Sequence, residues 1–282
     1  MTTVLQLGIR LHDMRAGTLA ERAAWARGQG FSCVHLALEK TIPGFVMSPG
    51  KLTAGLGKHL REVFSAHKVD VAVLGCYKNL AHPDPQELQK IQENYIAHLR
   101  MAKALDCSVV GTETGAPNAD YHYEEACHSE AALQTFLHNL APVVEAAEHF
   151  GTLLAIEPVW NHIVWNPQVA RRVIREMASP NLRIIFDPVN LLSMENYMER
   201  ERVIGEAIEC FGEYVEVVHL KDFQITEHGL TAMAPGTGLM DYKPLLAYLK
   251  QEKCGIQATL ENTRPDNAVT ARKYLEELYA EL

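Results

Sequence analysis

The sequence predicts one (β/α)8 TIM barrel spanning residues 1–282, and three observations predict it. Short apolar, β-branched runs recur eight times, helix-patterned segments separate them, and polar residues gather where each run ends. The length of 282 residues suits a single α/β barrel. No linker, low-complexity tract or internal repeat beyond the strand–helix rhythm divides the chain, so we read one domain.

The runs are VLQLGIR (4–10), SCVHLAL (32–38), VDVAVLGC (69–76), CSVVGTET (107–114), LLAIEPV (153–159), LRIIFDPV (182–189), VEVVHLKD (215–222) and GIQATLEN (255–262). Strands this continuously apolar are expected to be covered on both faces, as in parallel sheets. Between them lie helical patterns at 19–30, 84–106, 129–151 and 166–178, with a last helix after Pro265 and Asp266. Asp84 before Pro85 and Asn166 before Pro167 are helix-start signals, and Asp241 stands as a third candidate N-cap. The competing open, doubly wound dinucleotide sheet would carry G-x-G-x-x-G after the first strand. GIRLHD at that place is unlike it.

Composition narrows the partners. The chain is 48% hydrophobic and 22% charged, as expected of a globular protein with a full core. It holds 35 acidic against 26 basic residues, a net charge of -9, which disfavours nucleic acid as a partner. No run reaches the roughly 18 apolar residues of a membrane span, so no membrane partner is expected. The six cysteines form no C-x-x-C pair. Cys33, Cys76, Cys107 and Cys254, in or beside apolar runs, read as buried thiols. With no basic leader and apolar signal stretch, this points to a reducing, cytoplasmic location.

In a (β/α)8 barrel the active site forms at the C-terminal strand ends. Here the eight ends carry Arg10, His12 and Asp13; Glu39; Tyr77, Asn79 and His82; Glu113; Glu157; Asp187 and Asn190; His219, Lys221 and Asp222; and Glu261, Asn262 and Arg264. Residues two apart share a strand face. If Ala155, Ile185, Val217 and Thr259 face inward, then Glu157, Asp187, His219 and Glu261 converge from the last four strands. Three carboxylates so close would repel one another unless protonated or bound to a cation. One divalent metal ion resolves the conflict. Oxygen donors with a single imidazole favour Mn2+, with Mg2+, Co2+ or Zn2+ also suited.

These pieces resemble the xylose-isomerase-like barrel superfamily of sugar isomerases and epimerases, hydroxypyruvate isomerase, inosose dehydratases and endonuclease IV-type nucleases. The matching residues are IEPV at Glu157, FDPVN at Asp187, HLKD at His219, PGTGLMDY at 235–242 and LEN at Glu261. The resemblance implies that Glu157, Asp187, His219 and Glu261 bind one divalent ion, and that Glu157 and Glu261 also move protons. It departs from the epimerase branch, which has a histidine where Asn190 stands and an arginine where Ile225 stands. The nuclease branch needs that same histidine and an Asp-x-His pair that the loop after the seventh run lacks.

The expected function is therefore metal-dependent isomerisation or epimerisation of a sugar or keto-polyol through an enediolate. An inosose-dehydratase-like lyase is the alternative; a metallohydrolase or a non-catalytic sugar-binding barrel comes behind. Substrate contacts are expected from Asn190, Lys221, His162, Trp160, Tyr77 and Arg264. PGTG could cradle a phosphate, although a turn leading to Asp241 is the plainer reading. A homo-oligomer is expected, as barrels of this type commonly pair.

Overall fold

A computed structural model describes residues 5–282. Val4, the first residue of the first predicted strand, lies outside them. Eight parallel strands close into a barrel: β1 (Gln6–Arg10), β2 (Cys33–Leu36), β3 (Asp70–Gly75), β4 (Val109–Glu113), β5 (Leu153–Glu157), β6 (Leu182–Phe186), β7 (Val215–Leu220) and β10 (Gln257–Leu260). Around the ring each strand neighbours the next in chain order, and β10 closes onto β1. β8 (Asp222–Thr226) and β9 (Gly229–Met233) form a separate antiparallel hairpin directly after β7. Eight barrel strands were legible in the apolar runs. The hairpin was not, because DFQITEHGLTAM has no continuous apolar stretch.

The helices start where local chemistry caps them. The long helices α4 (Pro85–Leu105) and α5 (Glu130–Phe150) begin at Asp84 and Ser129, whose side chains accept backbone N–H groups of the first turn. Asp106 and Gly151 end them in the left-handed conformation. α6 (Pro167–Met177) begins at Asn166, which accepts from Val169 N at 2.8 Å. α8 (Lys243–Glu252) differs from expectation. Its N-cap position is Tyr242, and Asp241 instead accepts from Lys243 N at 3.0 Å, one residue outside the cap. Cys33, Cys76 and Cys107 are buried, but Cys254 is exposed, since it sits in the turn before β10 rather than inside the run. Among the described residues no helix is long and apolar enough to cross a membrane.

Two apolar layers result. A large one joins the outer strand faces to the helices. A small one fills the barrel interior with Cys33, Ala72, Val73, Val109, Ala155, Ile185 and Val217. The inner layer settles which parity faces inward, because it contains Ala155, Ile185 and Val217. Gly8 is obligatory where β1 meets β2, since a Cβ there would lie 2.4 Å from the Cys33 carbonyl oxygen.

Several histidines are folded in as neutral groups. His98, in α4, is 1% exposed, and its Nδ1 lies 2.7 Å from Asn94 O. Burial pushes its pKa down to about 4. The unfolded imidazole takes up its proton near pH 6.5, whereas the folded one resists to about 4. Stability from His98 is therefore complete above pH 6.5 and drains away as pH falls towards 4. Urea titrations should show His98→Leu losing about 2 kcal/mol less than the parent between pH 7 and pH 5. An equal loss in both would contradict this.

Candidate active site

At the C-terminal mouth the inward parity of every strand ends in a polar group. β5, β6, β7 and β10 deliver Glu157, Asp187, His219 and Glu261, all nearly inaccessible to solvent. His219 Nδ1 lies 3.2 Å from Glu157 Oε1 and 3.3 Å from Glu261 Oε1. Asp187 Oδ1 accepts the N–H groups of Val189 and Asn190 at 2.9 and 3.2 Å, so the turn after β6 holds it still. Its Oδ2 lies 2.9 Å from Lys221 Nζ. Lys221 also reaches Glu261 Oε2 at 3.4 Å and donates to Asn190 Oδ1 at 2.6 Å. Asn190 in turn donates to Glu157 Oε1 at 2.7 Å.

Repulsion among the carboxylates is thus met by cations of the chain itself. Burial opposes charge on His219, yet Glu157 and Glu261 raise its pKa to about 9. Burial likewise opposes charge on Lys221, and Asp187, Glu261 and Glu157 overcome it, so the ammonium is held more firmly than usual. Glu261 is the mirror image: against burial, His219, Lys221 and Arg10 keep it ionised well below the usual carboxylate range. Asp187 goes the other way, lifted by burial to about 6 despite Lys221. Repulsion alone therefore does not demand a metal.

The donor chemistry nevertheless fits one. Glu157, Asp187 and His219 each offer a ligand atom, and these atoms lie within 4.8 Å of one another. The same holds for His35, His219 and Glu261. Both ring nitrogens of His35 are buried with no hydrogen-bond partner, as free nitrogen ligands would be; His219 Nε2 is likewise unpartnered, but its ring must give up a proton before it can ligate. Burial and the neighbouring His219 depress the His35 pKa far below normal, so its ring stays neutral and able to ligate.

His35, Glu157 and Glu261 line a cavity of about 230 Å3, with Asp187 and His219 outside its lining. Its lining also includes Arg10, His12, Lys40, Tyr77, Glu113 and Asn190, with Lys221, Asn262 and Ala232 of the hairpin. Asn262 directly after Glu261 adopts φ 54°, a left-handed turn that sends the chain away once Glu261 is placed.

The model of one protein family, described as xylose isomerase-like TIM barrel, matches residues 23–278. The chain belongs to this family. No curated protein matches the chain in sequence. Solved structures share the fold of this xylose isomerase-like barrel at low identity. A D-tagatose 3-epimerase-like protein aligns with TM-score 0.75 and 19% identity, over 98% of this chain and 97% of the other. The 3-keto-D-glucoside 4-epimerase of E. coli aligns with TM-score 0.74 and 14% identity, over 97% and 100%. The IolI protein, solved with a bound zinc atom, aligns with TM-score 0.72 and 16% identity, over 98% and 99%. In a fusion of a xylose isomerase-like barrel with a 4-hydroxyphenylpyruvate dioxygenase, the match is 97% of this chain but only 42% of the other, at TM-score 0.73 and 18% identity.

The barrel brings Glu157, Asp187, His219, Glu261, Asn190, Lys221 and Tyr77 together at one mouth. It separates the other three. Trp160 lines a different cavity, of about 560 Å3, with Tyr123, His128 and Trp165. Its backbone is drawn there: the N–H donates to Asn190 O at 2.7 Å, and the carbonyl lies 2.8 Å from His128 Nε2. Arg264 is 74% exposed beside Asp266, beyond the turn at Asn262. His162 sits behind the pocket wall, stacked on Tyr121. Of the remaining strand-end residues, Glu39 pairs with Lys78 at 3.2 Å and stands outside the cavity. PGTG does not cradle a free anion, because the buried Asp222 carboxylate already accepts the N–H groups of Gly236, Gly238 and Met240.

Residues not named from sequence are His35 and Lys40, while Arg10, His12, Glu113 and Asn262 were noted only as strand ends. Parity would have found three of them: Gly8 leads to Arg10, Cys33 to His35 and Gly111 to Glu113. Lys221 is the most testable member. Lys221→Met leaves Asp187 and Glu261 buried without their ammonium, so urea denaturation in chelator should show about 3 kcal/mol less stability than the parent. A change near zero would mean that the ion pair carries no weight.

Proposed function

We propose that this barrel is a divalent-metal-dependent isomerase or epimerase of a small keto-polyol. The observation that carries the reading is the convergence of Glu157, Asp187, His219 and Glu261 from four adjacent strands into one buried cluster, of which Glu157 and Glu261 also line a small cavity. Family membership supports it, as do neighbours that are themselves a tagatose 3-epimerase-like protein and a keto-glucoside epimerase. The cavity of about 230 Å3 is smaller than the roughly 300–1,000 Å3 of sites for drug-sized ligands, and suits a single sugar.

Glu157, Asp187, His219 and Glu261 would hold the ion, for which their oxygen-rich set favours Mn2+. When bound, the ion supplies Lewis acidity to a carbonyl oxygen. Glu157 Oε1 and Glu261 Oε1 lie 3.2 and 3.3 Å from the same nitrogen, His219 Nδ1, so the two carboxylates stand close enough together to serve one small substrate. One takes the proton from the carbon next to the carbonyl, leaving an enediolate. The other returns a proton to the opposite face, giving the epimer, or to the adjacent carbon, giving the isomer. Lys221 and Asn190, which line the cavity, would turn to substrate oxygens once their carboxylate partners hold the ion. Dehydration is the second reading, since loss of a β-hydroxyl follows the same first step. Asn190 and Ile225 favour it, because the epimerase grip resembled in the sequence has histidine and arginine there. The negative net charge supports a small-molecule substrate over nucleic acid.

Exchange of solvent deuterium into D-fructose, D-tagatose, D-psicose and inososes, followed by NMR, tests the reading. Exchange should require Mn2+ or a similar ion and vanish with chelator. Glu157→Gln and Glu261→Gln should each slow it at least about a hundredfold. Exchange that survives chelation, or both substitutions, contradicts the proposal.

A further inference from the structure

We infer that Glu113 is the residue that recognises the substrate's hydroxyl groups, a specificity role distinct from the ion-binding cluster; this rests on the keto-polyol reading of the pocket. β4 presents Glu113 on the inward parity of Val109 and Gly111, and the register sets it directly beside Glu157 of β5. Its carboxyl therefore lines the cavity next to a proposed acid–base group. Yet it belongs to neither group of side chains able to share an ion among the described residues.

The carboxyl is held from behind and open in front. Tyr121 donates its hydroxyl to Glu113 Oε2 at 3.2 Å. Tyr121 has φ 56°, an uncommon and strained conformation for a bulky residue. Its ring stacks on His162 at 5.1 Å, and His162 Nδ1 lies 4.0 Å from the same Oε2. His162 is pinned by the stitching of the two loops: Ile163 N donates to Gly115 O at 3.1 Å, and Val164 N to Thr114 Oγ1 at 3.0 Å. Strain, stacking and a donor thus all serve to orient one carboxyl oxygen.

The other oxygen, Oε1, makes no hydrogen bond among the described residues. The Glu113 side chain is 31% accessible, against 3% for Glu157, 0% for Asp187 and 8% for Glu261. A fixed carboxyl with an unpaired oxygen, on a residue that lines a small polar cavity, calls for a hydrogen-bonding partner from the ligand. In a keto-polyol that partner is a hydroxyl remote from the reacting carbon. Burial, and after it the nearby Glu157, already raises the Glu113 pKa to about 7, and a phosphate or carboxylate at this end would add to that crowding.

The test compares the parent with Glu113→Ala, Glu113→Gln and Tyr121→Phe on the ketohexoses and their monodeoxy analogues. KM and kcat come from the exchange assay, and Kd from calorimetry, so the outcome does not hinge on turnover. Mn2+ binding is titrated separately. A hydrogen bond to a carboxylate implies a tenfold or larger rise in Kd and KM for Glu113→Ala, about 10- to 100-fold. The rise should be smaller for Glu113→Gln and Tyr121→Phe, with kcat and Mn2+ affinity near parental values. One monodeoxy analogue should bind the parent at least about tenfold more weakly than the full sugar, and this penalty should disappear in Glu113→Ala. The inference is overturned by parental affinity in Glu113→Ala, or by a deoxy penalty that survives in it at every position. Loss of Mn2+ binding, or a collapse of kcat at unchanged KM, overturns it too, since either makes Glu113 a ligand or an acid–base group. Exchange and binding in the parent report on the keto-polyol reading independently: if both are intact while Glu113 is inert, only this inference fails.

Discussion

Glu157, Asp187 and Glu261 are three carboxylates taken out of water, and the mouth of the barrel is organised around balancing their charge. Removing an ion from water carries a penalty of several kcal/mol, while a unit pair about 3 Å apart recovers roughly 5 kcal/mol at an effective dielectric near 20. The two are comparable, so each carboxylate needs a close, well-directed partner. Lys221, His219 and Arg10 supply three, at 2.9, 3.2 and 3.4 Å from Asp187, Glu157 and Glu261. Asn190 joins Glu157 to Lys221 through two further hydrogen bonds. A divalent ion entering this cluster must compete with the Lys221 ammonium. Such competition would hold the site in shape without the ion and release a cation towards the cavity when the ion binds.

The fold makes that cluster possible through strand alternation. Small or β-branched residues on the inward parity fill the barrel, and the next inward residue on the same strand is already at the mouth. The loops then fix the ends: Asp187 by the amides after it, Glu261 by the left-handed turn at Asn262, Glu113 by Tyr121 and His162. Asp222 performs the same service for the hairpin. Its buried carboxylate gathers the amides of the glycine-rich loop, and Phe223 and Ala232 of the hairpin face inward to the core and the cavity.

Most of this was written in the chain in period-two form. The apolar runs mark all eight barrel strands, and parity on the last four picks out Glu157, Asp187, His219 and Glu261. Applied equally to the first four, parity also yields Arg10, His35 and Glu113. What escaped has physical reasons. Trp160 and Arg264 stand three residues beyond Glu157 and Glu261, where turn geometry rather than alternation sets direction, so sequence proximity to the site was misleading. The hairpin has no apolar signature because only one of its faces is covered. Lys221 was legible only in part: two residues after His219, it reads equally as a substrate contact or as half of a salt bridge at the rim, and only distances across strands reveal a buried counter-ion.

The central claim is that the four groups from β5, β6, β7 and β10 share one divalent ion. Anomalous diffraction at the manganese edge, from crystals grown with Mn2+, measures this directly. The account predicts one strong peak among Glu157, Asp187, His219 and Glu261, with Lys221 drawn back from Asp187. A map without a peak there, and with Lys221 still seated on Asp187, would contradict it.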